Sequence, residues 1–229
     1  MKRHIPNLLT ELNLFCGCIA IVLALKDNNL EYAAYFIFIA AFFDLIDGMA
    51  ARLLNVKSEL GKQLDSLSDV VSFGVAPAAI VFQMLNQNVI TDFNPYLPYL
   101  AFLIAVFSAL RLGKFNIDTR QTSSFIGLPT PANAMFFASL ALLNTKYPIL
   151  ISPLLLLFLT FLFSWLLVSP LKLFSLKFNS LSWSGNEVKY IFLAGTLILL
   201  ITIKLYSLPL IILYYILLSL FSTIFKFKQ

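Results

Sequence analysis

Two pairs of aspartates, one on each side of a short predicted turn, are the residues of this sequence best suited to do chemistry. Asp44 and Asp47 are three residues apart and Asp65 and Asp69 are four apart, so each pair falls on one face of a helix. With the turn at residues 55–58 and a rise of about 1.5 Å per residue, both pairs lie roughly 10–16 Å from the turn. Four carboxylates would therefore meet at one depth, and they cannot all stay ionised unless cations join them.

The residue types around the aspartates indicate which cations and which substrate to expect. Oxygen ligands without His or Cys favour a hard ion, Mg²⁺, Mn²⁺ or Ca²⁺, and four carboxylates suffice for two ions, which suits phosphoryl displacement. Gly48, Ala51 and Gly61 remove bulk from the same helix faces and leave room for a ligand. Arg52 supplies positive charge for a phosphate. The competing interpretation is a carboxylate pair neutralised by Arg52 or by protonation inside a helix bundle.

The elements that must position these residues are hydrophobic helices. Of the 229 residues, 60% are hydrophobic and only 12% are charged, whereas a soluble domain carries about 25% charged residues. Runs long enough to span a bilayer recur along the chain, which predicts an all-α, polytopic membrane bundle in a single domain, residues 1–229. Eight transmembrane helices are predicted, at residues 8–26, 32–54, 65–86, 95–115, 130–147, 149–169, 188–204 and 207–225.

The distribution of basic residues predicts how this bundle is oriented. Eight spans put both termini on one side of the membrane. Of the sixteen Lys and Arg residues, thirteen fall on the side of the termini, and the other three are Lys26, Lys146 and Lys204. By the positive-inside rule, the termini and the aspartates face the cytoplasm, and we expect the protein in the cell membrane. The net charge of +5 then reflects the orientation of the chain in the membrane, so nucleic acid is not an expected partner.

The aspartates and their neighbours also resemble a known family. The signature of the CDP-alcohol phosphatidyltransferases is matched at all eight positions, with the family's spacing: Asp44, Asp47, Gly48, Ala51, Arg52, Gly61, Asp65 and Asp69. The resemblance implies a six-helix catalytic core at about residues 4–178, with two additional helices at about 188–225. It also implies a CDP-linked lipid substrate, divalent metal and a homodimer. In this family a hydroxyl attacks the lipid-side phosphorus and CMP leaves.

Roles for particular residues follow from that resemblance. It makes Asp44, Asp47, Asp65 and Asp69 the ligands of two metal ions, and Asp69 also the general base that takes the proton of the acceptor hydroxyl. The residues implied to bind CDP are Asn7, Thr10, Asn13, Asp44, Gly48, Ala51, Arg52, Gly61 and Asp65. For those near the N-terminus, the competing interpretation is an ordinary start of a helix with tolerated polar residues.

Three stretches outside the aspartate motif resemble the membrane-embedded (type II) CDP-diacylglycerol–serine O-phosphatidyltransferases, the phosphatidylserine synthases. The first has the pattern Pro-Asn-x2-Thr-x2-Asn, at Pro6, Asn7, Thr10 and Asn13. The second matches at Arg111, Phe115, Asn116, Gly127, Leu128, Pro129, Pro131 and Ala132, and departs from the commoner residues at Gly113 and Lys114. The third is weaker and matches at Val168, Ser169, Ser175 and Lys177, with Leu176 in place of Phe.

These stretches imply that L-serine is the acceptor and that Arg111, Lys114 and Asn116 bind serine or a lipid phosphate. The competing interpretation of that segment is a basic loop that only sets topology. The predicted function is transfer of the phosphatidyl group from CDP-diacylglycerol to L-serine, giving phosphatidylserine and CMP. The alternatives are the same chemistry with glycerol 3-phosphate, an inositol phosphate or choline, or a carboxylate-based ion transporter. Gly48, Ala51, Arg52 and Gly61 at fixed spacing argue against a transporter, because ion binding needs no nucleotide cavity.

Overall fold

The computed structural model of the chain describes residues 4–56, 58–87, 94–117, 125–174, 182–183 and 185–224. Within these ranges the protein has eight helices, and each overlaps one predicted span, which confirms the all-α membrane bundle. The helices are α1 His4–Leu25, α2 Leu30–Leu53, α3 Glu59–Asn86, α4 Leu97–Ile117, α5 Thr130–Lys146, α6 Pro153–Val168, α7 Glu187–Ile203 and α8 Leu208–Ile224.

Short irregular elements interrupt or join these helices. A π-helical turn, Val70–Val75, lies in the middle of α3, and α4 begins with a 3₁₀ segment, Leu97–Phe102. Another 3₁₀ turn, Pro148–Leu150, separates α5 from α6, so α6 begins later than predicted. The segments Phe125–Ile126 and Lys172–Leu173 form a two-residue antiparallel strand pair, β1 and β2.

The surface and length of the helices are those of a multi-pass membrane protein. By length and composition, α1 to α4 can each cross a membrane. The later helices are shorter, with 17 residues in α5, 16 in α6 and 17 in both α7 and α8. Large apolar side chains are exposed over much of the bundle, as expected for a surface that contacts lipid.

The turn between α2 and α3 brings the two aspartate pairs together. Asn55 has a left-handed backbone, with φ of 54°, a conformation that Asn tolerates better than most residues. Ser58 then caps α3 by accepting a hydrogen bond from the Gly61 backbone N–H at 2.9 Å. This cap explains why α3 begins at Glu59, six residues before the predicted span. The hairpin is therefore fixed by two local residues.

Residues of α1 to α6 form one main core, and Ile212 and Ile216 of α8 belong to it as well. α1 packs on α2 and α3, α2 packs on α5, and α4 packs on α6 and on the π turn. Within the main core the rings of Phe136 and Phe163 stack with centroids 3.8 Å apart and so join α5 to α6. α7 packs on α8, which contacts α5, and a smaller core forms there around Phe174, Phe192 and Ile211. The assignment of catalysis to the first six helices stays a prediction.

Candidate active site

Three of the four predicted carboxylates form a tight cluster. Carboxylate oxygens of Asp44 and Asp47, from α2, and of Asp65, from α3, all lie within 4.8 Å of one another. Asp47 is buried and the other two are half-buried. Asp69 is one helical turn beyond Asp65 and is buried, close enough to interact electrostatically with Asp44 and Asp65. The helical spacing predicted that all four carboxylates meet, and the structure places three of them in this cluster with Asp69 outside it.

The donor set of this cluster fits a hard divalent cation. Each member is a carboxylate, and neither His nor Cys belongs to the group found in the described part of the chain. Three negative charges this close repel one another strongly unless a cation or proton lies between them. Oxygen-only ligands select Mg²⁺, Mn²⁺ or Ca²⁺ over softer metals.

Two polar residues of α1 hold two of the carboxylates. The Thr10 hydroxyl donates to Asp47 Oδ2 at 2.6 Å, and the Asn13 amide Nδ2 donates to Asp69 Oδ1 at 3.3 Å. Thr10 and Asn13 are three residues apart on one face of α1, so a single helix face orients one carboxylate on α2 and another on α3. Asn13 is fully buried against Asp69, and its predicted contact with CDP remains a prediction.

A second set of hydrogen bonds fixes α3 against α1, and sequence reasoning missed it. Ser68 Oγ donates to the Thr10 carbonyl oxygen at 3.2 Å, and Ser72 Oγ donates to the Asn13 carbonyl oxygen at 2.9 Å. Gly17 allows the close approach, because a Cβ at that position would lie 2.4 Å from Ser72 Oγ. Small and hydroxyl residues at the contact between membrane helices were the signal that could have revealed it.

A cavity of about 580 Å³ opens beside the carboxylates. Seven of the nine residues predicted to bind CDP line it: Asn7, Thr10, Asp44, Gly48, Ala51, Gly61 and Asp65. No atom outside the local helix lies within 4 Å of a Cβ built on Gly48, so this glycine leaves open space on the cavity wall. The cavity is also lined by Pro6, Val56, Ser58, Glu59 and Lys62, which sequence reasoning did not assign to it.

The two predicted CDP-binding residues that do not line the cavity are Asn13 and Arg52. Arg52 is exposed at the end of α2, and its Nε donates to the Gly48 carbonyl oxygen at 2.9 Å. Its side chain is therefore held close to the glycine that borders the cavity. A contact between Arg52 and a phosphate stays a prediction.

The three residues predicted to bind the acceptor lie in different surroundings on α4. Arg111 is buried, interacts electrostatically with Asp69 and lies 5.8 Å from the centroid of the Phe115 ring. Lys114 is exposed. The Asn116 amide donates to Ser66 Oγ at 2.8 Å, and the Asn116 carbonyl oxygen accepts from Lys62 Nζ at 3.2 Å. Arg111 alone of the three is buried, and it interacts electrostatically with one of the predicted carboxylates, Asp69.

The later matched stretches pack against the end of α6. Gly127 has a positive φ of 76° and donates its N–H to the Leu171 carbonyl oxygen at 2.9 Å. A Cβ at Gly127 would lie 2.4 Å from the Leu167 carbonyl oxygen, so a larger residue does not fit there. Ser169 Oγ donates to the Leu166 carbonyl oxygen at 2.9 Å. Ser175, Leu176 and Lys177, which belong to the third predicted stretch, lie outside the described residues.

Comparison with known proteins identifies a family and several relatives that are similar to this chain. The family model described as CDP-alcohol phosphatidyltransferase matches residues 3–169. A CDP-diacylglycerol–serine O-phosphatidyltransferase of Bacillus subtilis (strain 168) is 38% identical over 174 residues, which cover 74% of this chain and 89% of that protein. The Helicobacter pylori (strain J99) protein of the same name is 37% identical over 62% of this chain and 59% of its own length. An archaetidylserine synthase of Methanothermobacter thermautotrophicus is 36% identical over 59% of this chain and 56% of its own length. The chain thus spans less than two thirds of the latter two relatives.

Proposed function

The chain belongs to the CDP-alcohol phosphatidyltransferase family, and we propose that it transfers the phosphatidyl group of CDP-diacylglycerol to L-serine, giving phosphatidylserine and CMP. The observation that carries this proposal is the cluster of Asp44, Asp47 and Asp65 on the wall of an open cavity at one end of a membrane bundle. The names of the relatives from bacteria, yeast and archaea support serine as the acceptor.

The donor nucleotide occupies the cavity of about 580 Å³ beside the carboxylates. Gly48, Ala51 and Gly61 let the diphosphate approach the backbone of α2 and α3, and Asn7 and Thr10 line the cavity from α1. Asp44, Asp47, Asp65 and Asp69 would hold two divalent ions, Mg²⁺ or Mn²⁺, with Ca²⁺ as the alternative. When bound, divalent ions neutralise the diphosphate, polarise phosphorus and stabilise the CMP leaving group.

The acceptor enters between Asp69 and Arg111. Asp69 takes the proton of the serine hydroxyl, whose oxygen forms the new bond to the lipid-side phosphorus while the bond from phosphorus to the CMP oxygen breaks. The Asn13 amide donates to Asp69 Oδ1 and so leaves Oδ2 for that proton. Arg111 supplies the positive charge that the serine carboxylate needs in a site close to lipid.

We also propose that both termini and the active site face the cytoplasm, in the cell membrane. Arg52 and Lys62 lie at the carboxylate end of the bundle, in line with the excess of basic residues on that side. At the other end Lys146 Nζ lies 4.5 Å from the centroid of the Tyr206 ring, so two of the basic-poor loops lie together there. A homodimer is proposed on the family resemblance.

A CMP-release assay separates this function from its alternatives. The purified protein is given CDP-diacylglycerol in mixed micelles, Mg²⁺ or Mn²⁺, and L-serine, glycerol 3-phosphate, an inositol phosphate or choline in turn. We expect release of CMP with serine well above that with the other alcohols. Faster release of CMP with another alcohol would show that this alcohol, and not serine, is the acceptor. No release with any alcohol, together with ion flux in liposomes, would favour a transporter.

A further inference from the structure

Buried polar atoms without a hydrogen-bond partner are concentrated in three helices next to the carboxylates. The described residues contain eight such side-chain atoms, and six of them belong to α4, α5 and α6. The six are Ser108 Oγ, Arg111 Nε, Thr130 Oγ1, Asn133 Nδ2, Asn133 Oδ1 and Ser164 Oγ. A buried polar group left unpaired is costly, and hydrocarbon around the bundle offers no water to relieve it. Because so many unpaired polar atoms are buried in one region, we expect a polar ligand to bind there.

Contacts of α4 place Arg111 and Ser108 near Asp69 and the π turn that follows it. Arg111 interacts electrostatically with Asp69. One turn earlier on α4, the Ser108 Cβ lies 3.1 Å from where a Gly74 Cβ would be, so Ser108 packs on the π turn that follows Asp69. α5 also packs on that π turn.

The other three residues lie on α5 and α6 where these helices meet. Thr130 and Asn133 are in the first turn of α5. Asn133 precedes Phe136 by one turn, and Phe136 stacks on Phe163, the neighbour of Ser164 in the chain.

We propose that Thr130 and Asn133, with Ser108 and Ser164 behind them, form a pocket that binds the zwitterionic head of the acceptor amino acid against Arg111. This inference rests on the proposed function and adds residues that the family signature does not contain. Asn133 can donate from Nδ2 to a carboxylate and accept at Oδ1 from an ammonium, and the Thr130 hydroxyl can accept as well. Among the residues that the structure describes, neither side chain has a hydrogen-bond partner that would compete.

The charge of the pocket favours an amino acid over a phosphorylated alcohol. Arg111 is the one Lys or Arg that is buried in the part of the chain that the structure describes. A single guanidinium matches one carboxylate, whereas a phosphate dianion in a buried site needs further cations. Asn116 is not part of the pocket, because its amide donates to Ser66 Oγ. With the serine carboxylate on Arg111, the serine hydroxyl can point toward Asp69.

The test uses Thr130→Val and Asn133→Leu, which keep size and remove the unpaired polar atoms. The KM for serine, the KM for CDP-diacylglycerol, kcat and the melting temperature of the ligand-free protein are measured for each. We expect the KM for serine to rise about tenfold or more, which corresponds to the loss of one buried hydrogen bond to a charged ligand. The KM for the donor should stay the same, and the melting temperature should stay the same or rise.

Matched controls come from buried hydroxyls that do have partners. Thr160 Oγ1 donates to the Leu156 carbonyl oxygen at 2.8 Å, and Ser139 Oγ donates to the Phe136 carbonyl oxygen at 2.7 Å. Thr160→Val and Ser139→Ala should lower the melting temperature or leave it unchanged, and should leave the KM for serine unchanged.

Each outcome decides between binding and structure. An unchanged KM for serine in both variants of an enzyme that uses serine would overturn the pocket, and so would a lowered melting temperature with no change in that KM. If Asn133→Leu does not fold, the nearly isosteric Thr130→Val carries the test alone. Failure of the proposed function is separate, because it would show in the unmutated protein as no serine-dependent release of CMP.

Discussion

On the carboxylate side of the site, formed by α1 to α3, buried polar groups bond to one another, whereas on the arginine side, formed by α4 to α6, most of them do not. Thr10 donates to Asp47, Asn13 donates to Asp69, and Ser68 and Ser72 donate to backbone carbonyls of α1. On the other side, six buried polar atoms have no hydrogen-bond partner within the described ranges of the chain. In the part of the chain that the structure describes, Asn13 Oδ1 is the one buried atom of this network on α1 without a hydrogen-bond partner.

This difference indicates two ways of building a binding site inside a membrane bundle. The carboxylate side is held by the protein's own hydrogen bonds, so its geometry exists before any ligand arrives. The arginine side is completed by its ligand, which satisfies polar groups that are otherwise costly. Changes on the first side should therefore damage turnover and stability, and changes on the second should weaken acceptor binding.

The largest effect is expected from the clustered carboxylates. Asp44→Asn, Asp47→Asn or Asp65→Asn keeps the side-chain size and removes a charge that divalent cations require. We expect CMP release to fall about a thousandfold or more, since metal chemistry supplies several kcal/mol to the transition state. The same substitution at the exposed Asp27, between α1 and α2, should have no effect. Near-normal activity of any of the three variants at ordinary Mg²⁺ or Mn²⁺ would contradict the metal site.

The next largest effect is expected at Asp69. Asp69→Asn removes the proposed base, so kcat should fall about 10²–10⁴-fold, while binding of CDP-diacylglycerol weakens much less. Equilibrium binding of the donor and single-turnover kinetics measure the two separately. If Asp69→Asn loses metal and nucleotide binding as fully as Asp44→Asn, Asp69 is a metal ligand and not a base.

Arg111 tests the arginine side directly. Arg111→Lys keeps the charge but loses the two-pronged geometry that matches a carboxylate, and Arg111→Ala loses both. We expect the KM for serine to rise about tenfold in the Lys variant and more in the Ala variant, with the KM for the donor unchanged. Asn116→Ala should have a smaller effect on that KM, because the Asn116 amide already bonds to Ser66. A change confined to the donor would assign Arg111 to the lipid phosphate.

Two glycines on the carboxylate side test whether a change there affects stability or binding of the donor. A Cβ at Gly17 would lie 2.4 Å from Ser72 Oγ, so Gly17→Ala should destabilise the protein by about 1–3 kcal/mol and lower kcat. A Cβ at Gly48 meets no atom within 4 Å, so Gly48→Ala should leave stability intact and raise the KM for the donor. Gly113→Ala, also into open space, should change neither. Equal melting temperatures for the Gly17 and Gly113 variants would contradict the close contact.

The smallest effect is expected from α8. The Tyr215 hydroxyl donates to the Phe174 carbonyl oxygen at 2.8 Å, and Tyr215 lies in the neighbourhood of Arg111. Tyr215→Phe should cost about 1 kcal/mol of stability and lower the melting temperature by about 2–4 °C. The KM for serine should change less than about threefold. Tyr214→Phe, which loses a hydrogen bond to the Ile191 carbonyl oxygen, is the matched control. A tenfold rise in the KM for serine in Tyr215→Phe alone would place α8 in the acceptor site.

The sequence predicted well those features that depend on neighbours in the chain. Helical periodicity and a short turn are local, so the spacing of Asp44, Asp47 and Asp65 sufficed to predict that they meet. Five of the predicted cavity residues come from the motif around the same turn, and Asn7 and Thr10 come from the pattern at the start of α1. By contrast, the contact of Asn13 with Asp69 joins residues 56 positions apart, and that of Ser72 with Asn13 joins residues 59 apart. No local pattern contains such pairs.

The sequence by itself determined the helices, their apolar surface and the carboxylate cluster, because each follows from composition or from periodicity within one helix or one hairpin. The tertiary structure decided the surroundings of each polar residue. It paired Asn13 with Asp69 and Asn116 with Ser66, and it left the side chains of Thr130 and Asn133 buried without hydrogen-bond partners among the described residues. The physical reason is that burial and hydrogen bonding between helices depend on how those helices pack, and packing joins residues that are distant in the chain.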